Sequence, residues 1–117
     1  MENNNENLGI KDLENEIKLY REYYGLLPNE KLISIKCSSF DKKIDYVIIC
    51  KNTEKFSKIE EQLYKKYPNY IDTENYFMVN GKKIKKFKTL EDNKINNNDE
   101  VILYILDSWI KDKVLFP

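Results

Sequence analysis

The sequence predicts an α+β domain in which a sheet wraps one helix, in the order strand, strand, helix, strand, strand. Three observations carry that reading. Two β-rich runs, Leu32 to Cys37 and Ile44 to Cys50, flank the polar stretch Phe40-Asp41-Lys42-Lys43. A segment with helical spacing follows, from about Glu54 to Tyr67. Then Tyr76 to Val79 halts at Asn80-Gly81, the dipeptide most able to take the positive φ angles of a tight hairpin turn, and Val101 to Ile105 closes the chain's last apolar run.

Taken in order, residues 1–7 are Asn/Glu-rich and are expected to be disordered. Residues 8–28 read as an amphipathic helix. Ile10, Leu13, Ile17, Tyr20, Tyr24 and Leu27 fall at a 3-4-3-4-3 spacing, which lays one stripe along a helix, and Gly25 and Pro28 mark its end. The stripe is about two and a half heptads long, short of an independent coiled coil. It can pack on its own domain, form a dimer seam or bind a partner.

In the first hairpin, a turn centred between Asp41 and Lys42 sets Cys37 opposite Tyr46, Ile35 opposite Ile48 and Ile33 opposite Cys50, with all six on one face. The two cysteines then sit at opposite ends of the ladder, roughly 13 Å apart, too far for a disulfide, and read as reduced core thiols. In the following helix Thr53 is the expected N-cap, Phe56, Ile59, Leu63 and Tyr67 form the apolar face, and Pro68 stands just past the end. Residues 69–75 form a connecting loop. Beyond the Asn80-Gly81 turn come Ile84 and Phe87, then Thr89-Leu90-Glu91-Asp92, an isolated Ile95 and a polar turn at Asn96-Asn97-Asn98-Asp99.

Composition narrows the function. At 117 residues the chain supports one domain with a single core plus an appended element. Lys+Arg and Asp+Glu balance at 20 each, so global charge favours neither nucleic acid nor an anionic membrane as main partner. No apolar run reaches the roughly 18 residues of a membrane span, and the first residues are too polar for a signal peptide, so a cytoplasmic protein is expected. Histidine is absent, which removes the commonest general base and the commonest zinc ligand. No paired carboxylates, Gly-rich phosphate loop or nucleophile elbow appears. We therefore expect no enzyme, no catalytic residue, no metal and no cofactor.

The order running from Glu74 to Ile105, namely strand, Asn-Gly turn, lysine pair, Thr-Leu, acidic pair, isolated Ile, polar turn and closing strand, resembles the second half of ubiquitin without a gap. With the preceding hairpin and helix the resemblance extends over about residues 31–105. It implies a ubiquitin-like β-grasp, a ββαββ-type mixed sheet over one helix, here with an added N-terminal helix and an apolar C-terminal tail. The ubiquitin-like domain would span 31–106 and the tail 107–117. Core positions carried over are Ile33, Ile35, Ile48, Cys50, Ile59, Leu63, Phe77, Val79, Ile84, Leu90, Ile95, Val101 and Leu103. Ubiquitin-like modifiers and sulfur carriers end in Gly-Gly. The tail Leu106 to Pro117, with Trp109, Ile110, Val114, Leu115 and Phe116, contains no glycine, so conjugation is not expected.

Alternation turns Phe77, Val79, Val101, Leu103 and Ile105 inward and Tyr76, Met78, Ile102 and Tyr104 outward. The resemblance places ubiquitin's main partner-binding patch at those outward positions, with Met78 and Tyr104 at two of its three principal sites and Phe40 at the third. The candidate protein-binding residues are thus Phe40, Tyr76, Met78, Ile102 and Tyr104. The implied role is a non-catalytic interaction module, an adaptor or subunit of a larger cytosolic assembly with ubiquitin-pathway or other protein partners. Leu32, Val47 and Ile49 also face outward, so nearly the whole outer sheet is expected to be apolar and in need of a cover: the N-terminal stripe, the tail, another protein or a second copy. Two alternatives stand beside the module. One is a structural homo-oligomer built through the N-terminal helix or the tail. The other is a Ras-binding-type, lipid- or RNA-binding domain using basic loops, either Lys82, Lys83, Lys85, Lys86 and Lys88 or the lysines flanking residues 44–50.

Overall fold

The computed structural model describes residues 2–106, with side chains from residue 9 onward. The expected apolar tail, 107–117, lies outside the described residues. The chain divides after Lys31 into two compact units.

The first unit holds helix α1, Glu2–Tyr23, which takes in part of the 1–7 segment as well as the amphipathic stretch. Its end is set by Gly25 at φ 62°, a left-handed angle that a Cβ would oppose. The Gly25 N–H donates to the Glu22 carbonyl and the Leu26 N–H to that of Arg21, the paired bonds of a Schellman motif. Leu27, expected at the end of the stripe, falls past this reversal and leaves the helical row.

The second unit holds β1 (Leu32–Ser39), β2 (Asp45–Lys51), α2 (Phe56–Lys66), a 3-10 turn (Pro68–Tyr70), β3 (Asn75–Val79), β4 (Lys82–Lys83) and β5 (Glu100–Ile105). The sheet order is β2-β1-β5-β3-β4, with β1 and β5 parallel and the other neighbours antiparallel. The β1–β2 register matches the expectation pair for pair: Ile33 with Cys50, Ile35 with Ile48, Cys37 with Tyr46. Asn80 and Gly81 take φ angles of 50° and 76°, and β4 pairs back as Met78 with Lys83 and Val79 with Lys82.

One face of the sheet closes on α2. All thirteen carried-over core positions are buried, and Phe56, Cys37, Ile44 and Tyr70 join them. The Phe56 and Phe77 rings meet edge to face at 4.9 Å between centroids, which locks the helix start to the middle of β3. Ile105 shares the inward side of β5 but is 37% exposed, because the buried row runs out where β5 ends. Of the two apolar residues after the Asn80-Gly81 turn, Ile84 is buried and Phe87 is exposed.

The start of α2 differs from its expected form. The N-cap is Lys55, without a side-chain bond, and Thr53 does not serve as the cap. Residues 52–54 form a turn, with the Glu54 N–H donating to the Lys51 carbonyl, and the stretch is tied to the segment after the lysine loop. The Leu90 N–H donates to the Glu54 carbonyl, the Glu91 N–H to that of Asn52, and Lys55 bridges Thr89. The helix therefore begins at Phe56. Its first donors are taken by backbone: the Phe56 N–H donates to the Lys88 carbonyl at 3.0 Å and the Ser57 N–H to the Lys86 carbonyl at 2.7 Å. A side-chain cap is unnecessary where carbonyls of another loop already meet the free N–H groups.

Candidate functional site

The face of the sheet away from α2 brings the five candidate protein-binding residues together. β3 and β5 are antiparallel neighbours with Tyr76 opposite Tyr104 and Met78 opposite Ile102. The Tyr76 and Tyr104 rings stack at 5.2 Å and 12°. Phe40 completes the row from the other side, stacked on Tyr104 at 5.5 Å and 28°. Phe40 is 75% exposed, and the other four are half-buried. Three aromatic rings in a line beside a methionine and an isoleucine make an apolar strip whose one flexible member can adapt to a partner.

The position of Phe40 is built by its neighbours. The Phe40 N–H donates to the Leu103 carbonyl at 2.9 Å, continuing the β1–β5 pairing into the turn. The buried Ser39 hydroxyl donates to Asp41 Oδ1 and accepts from the N–H groups of Lys43 and Ile44. Tyr70, on the 3-10 turn after α2, donates its hydroxyl to Asp41 Oδ2 at 2.7 Å. The Ser39 bond, with help from Tyr70 and the Lys43 N–H and charge, holds the Asp41 carboxyl below the usual carboxylate range against a smaller opposing desolvation. Burial, then the bond to Asp41, pushes the Tyr70 phenol up. Sequence reading missed this clamp. Its only local trace is the Ser39-x-Asp41 spacing, which suits a turn with side-chain bonds to backbone.

The outer face is not apolar throughout, contrary to expectation. Outward positions on β1 are Leu32, Ser34, Lys36 and Ser38, and three of these four are polar. Since β1 lies between β2 and β5, Ser34, Lys36 and Ser38 separate exposed Val47 and Ile49 from the aromatic strip. Lys36 Nζ lies 3.7 Å from Glu100 Oε2, closing the strip at one end with a solvated pair that contributes little stability. On the other side Lys83 follows Met78 across the β3–β4 pairing. The signal was in the sequence, because period-two alternation along 32–38 already exposes those residues.

Of the five lysines, Lys83, Lys85 and Lys86 line one pocket beside Tyr76 and Phe77. Lys82 and Lys83 are consecutive in β4 and point to opposite faces. Lys85 is fixed through its backbone, its N–H donating to Asn93 Oδ1 at 2.8 Å and its carbonyl accepting from Asn93 Nδ2 at 2.9 Å. Lys86 Nζ lies 3.6 Å from Glu60 Oε1 and 5.5 Å from the Phe87 ring centre. With the carbonyls of Lys86 and Lys88 receiving the N–H groups at the start of α2, the backbone here is committed to the fold.

Cys37 and Cys50 are both free and buried, and burial pushes each thiol up to about 12. Among the described residues no group of three His, Cys, Asp or Glu side chains is placed to hold a metal ion, and no helix is long and apolar enough to cross a membrane.

No protein-family model and no curated protein matches the chain. Among solved structures, the chain is similar to the solution NMR structure of a ubiquitin-like domain from an Arabidopsis thaliana protein. The TM-score is 0.57 at 11% identity, over 68% of this chain and 82% of that one. At that identity the likeness is one of backbone, and it agrees with the β2-β1-β5-β3-β4 sheet closed over a single helix. The second unit of this chain therefore has a ubiquitin-like β-grasp fold.

Proposed function

We propose that the chain is a non-catalytic protein-interaction module, an adaptor or subunit of a larger cytosolic assembly, that reads its partner through the β3–β5 face. The observation that carries this reading is the stacked row Phe40, Tyr104, Tyr76 with Met78 and Ile102 beside it. Rigid aromatic rings give contact area at low entropic cost, and a methionine among them lets the surface adapt. The polar rim of Ser38, Lys36, Glu100 and Lys83 suits a surface that must stay soluble when empty.

The test is titration of the isotopically labelled full chain with a panel of ubiquitin-binding domains and ligase subunits, read by amide shifts. We expect a binder whose shifts centre on Phe40, Tyr76, Met78, Ile102 and Tyr104, and whose affinity falls at least tenfold in Met78→Glu and in Tyr104→Ala. Binding that maps elsewhere, or that these variants leave unchanged, would falsify the reading. A second reading draws on β2, which is an edge strand with Val47 and Ile49 exposed, and would have an extended partner segment add to it. That mode predicts shifts along residues 45–51 and indifference to Met78→Glu.

A further inference from the structure

The stripe on α1 has the form of a helix-to-helix seam. Ile10, Leu13, Ile17, Tyr20 and Tyr24 repeat at 3-4-3-4 spacing and are each between 46% and 59% exposed. In heptad terms they fill the a and d positions. The flanking e and g positions hold Gly9, Glu14, Glu16, Arg21 and Tyr23, with no aliphatic residue among them. A helix that covers a sheet shows a wider apolar arc, three to four residues in every two turns, whereas an a/d line flanked mainly by charge is the narrower seam of a coiled coil. Tyr23, packed on Tyr24, is the one aromatic shoulder.

The charges select the occupant. Arg21 is the one cation at these shoulder positions and Glu14 and Glu16 are the anions. When two copies run parallel, g-to-e′ pairing sets Glu16 of each against Arg21 of the other. When they run antiparallel with Ile17 layered on Tyr20, e-to-e′ pairing sets Glu14 of each against Arg21 of the other. Either way the two-fold operation turns one complementary pair into two, and no shoulder sets like charge on like. Arg21 also donates to the Leu27 carbonyl, past the reversal that ends the helix. A guanidinium has five donors, so this bond and an inter-chain pair are compatible.

We propose that α1 is a self-association element, pairing with α1 of a second copy through Ile10, Leu13, Ile17, Tyr20 and Tyr24. The seam is only about two heptads long, below what an independent coiled coil needs, so the dimer is weak and reversible. Its consequence is bivalence. Each particle presents two copies of the second unit, and a partner with two matching sites gains effective concentration from the link. The dimer itself does not depend on how the β3–β5 face is used.

Sedimentation equilibrium of the full chain over a concentration series into the high micromolar range tests this. The expected result is a mass rising from the 14.1 kDa of the chain towards twice that value. Ile17→Asp should stay at the monomer mass with an unchanged thermal unfolding curve for the second unit. Arg21→Glu should weaken association roughly tenfold through its two symmetric pairs. Mixing it with a chain carrying Glu14→Arg and Glu16→Arg should restore a mixed dimer. A monomer at every concentration overturns the proposal, and so does a dimer indifferent to Ile17→Asp. Either outcome leaves the recognition face untouched, whose own test is read at Met78 and Tyr104.

Discussion

Replacing Tyr70 with phenylalanine probes how the Phe40 corner is held. The side chain is 6% exposed, so the substitution keeps its packing and removes one group, the hydroxyl that donates to Asp41 Oδ2 at 2.7 Å. A hydrogen bond to a charged acceptor contributes about 1.5–3 kcal/mol. Asp41 is exposed, and screening by water and salt lowers that figure, so the expected loss is about 1 kcal/mol. At a urea dependence of about 1–3 kcal/mol per molar, the unfolding midpoint falls by roughly half a molar. The sign of the pH effect follows from Asp41. Its folded pKa is depressed, so its contribution is present above the unfolded value of about 3.9 and is lost as pH falls through the folded value. The deficit of Tyr70→Phe is therefore full at pH 7 and shrinks below about pH 4. In an Asp41→Asn background most of the deficit should disappear, since the two groups act as one pair. A deficit that does not shrink as pH falls through the folded value, or that is unchanged in Asp41→Asn, refutes the clamp. Tyr70→Phe should also weaken partner binding at pH 7 although Tyr70 lies outside the aromatic strip, because the corner it ties carries Phe40.

Phe56→Ala removes the ring that joins α2 to β3 and should destabilise the second unit by about 3–5 kcal/mol in urea unfolding, a large share of a small domain's total. Gly81→Ala puts a Cβ at φ 76° in the β3–β4 turn. A loss of about 1 kcal/mol or more is expected, with amide shifts confined to residues 78–83. Native Cys37 and Cys50 should resist a thiol reagent at pH 8 and react fully once urea opens the core, at a rate that follows the opening equilibrium. Both thiols are raised by burial from 9.0 to about 12, so their contribution is intact below the unfolded value and is lost as pH rises through 12. Stability that stays level across that alkaline window would contradict the buried-thiol account.

Much of the second unit was legible because its signals are local. Alternation along 33–37 is strict, and with one face buried a one-residue slip of that strand would expose Ile33, Ile35 and Cys37, so the hairpin has one register. Asn80-Gly81 names its own turn. Ile84, Leu90 and Ile95 stand isolated among polar residues, and each is buried. The errors have an equally physical origin. Thr53 was expected to cap α2 because capping preferences describe a helix end in water, and here the backbone of residues 86–88 fills that role. The outer face was expected to be apolar from β2, β3 and β5 read separately. Only the sheet order shows that β1 lies between β2 and β5, with Ser34, Lys36 and Ser38 on that face.

What the amino-acid order alone determined is whatever a period, a turn dipeptide or a capping glycine can encode within a few residues: strands β1, β2, β3 and β5, the two helices, the inward face, the Asn80-Gly81 reversal and the end of α1 at Gly25. Tertiary structure decided which distant groups meet. Tyr70 reaches Asp41 across 29 residues, Phe40 stacks on Tyr104, and the lysine loop closes the start of α2. Those contacts depend on where whole elements come to rest once the core is buried, and no local pattern carries that information because hydrophobic burial is non-directional while hydrogen bonds and ring stacks are not.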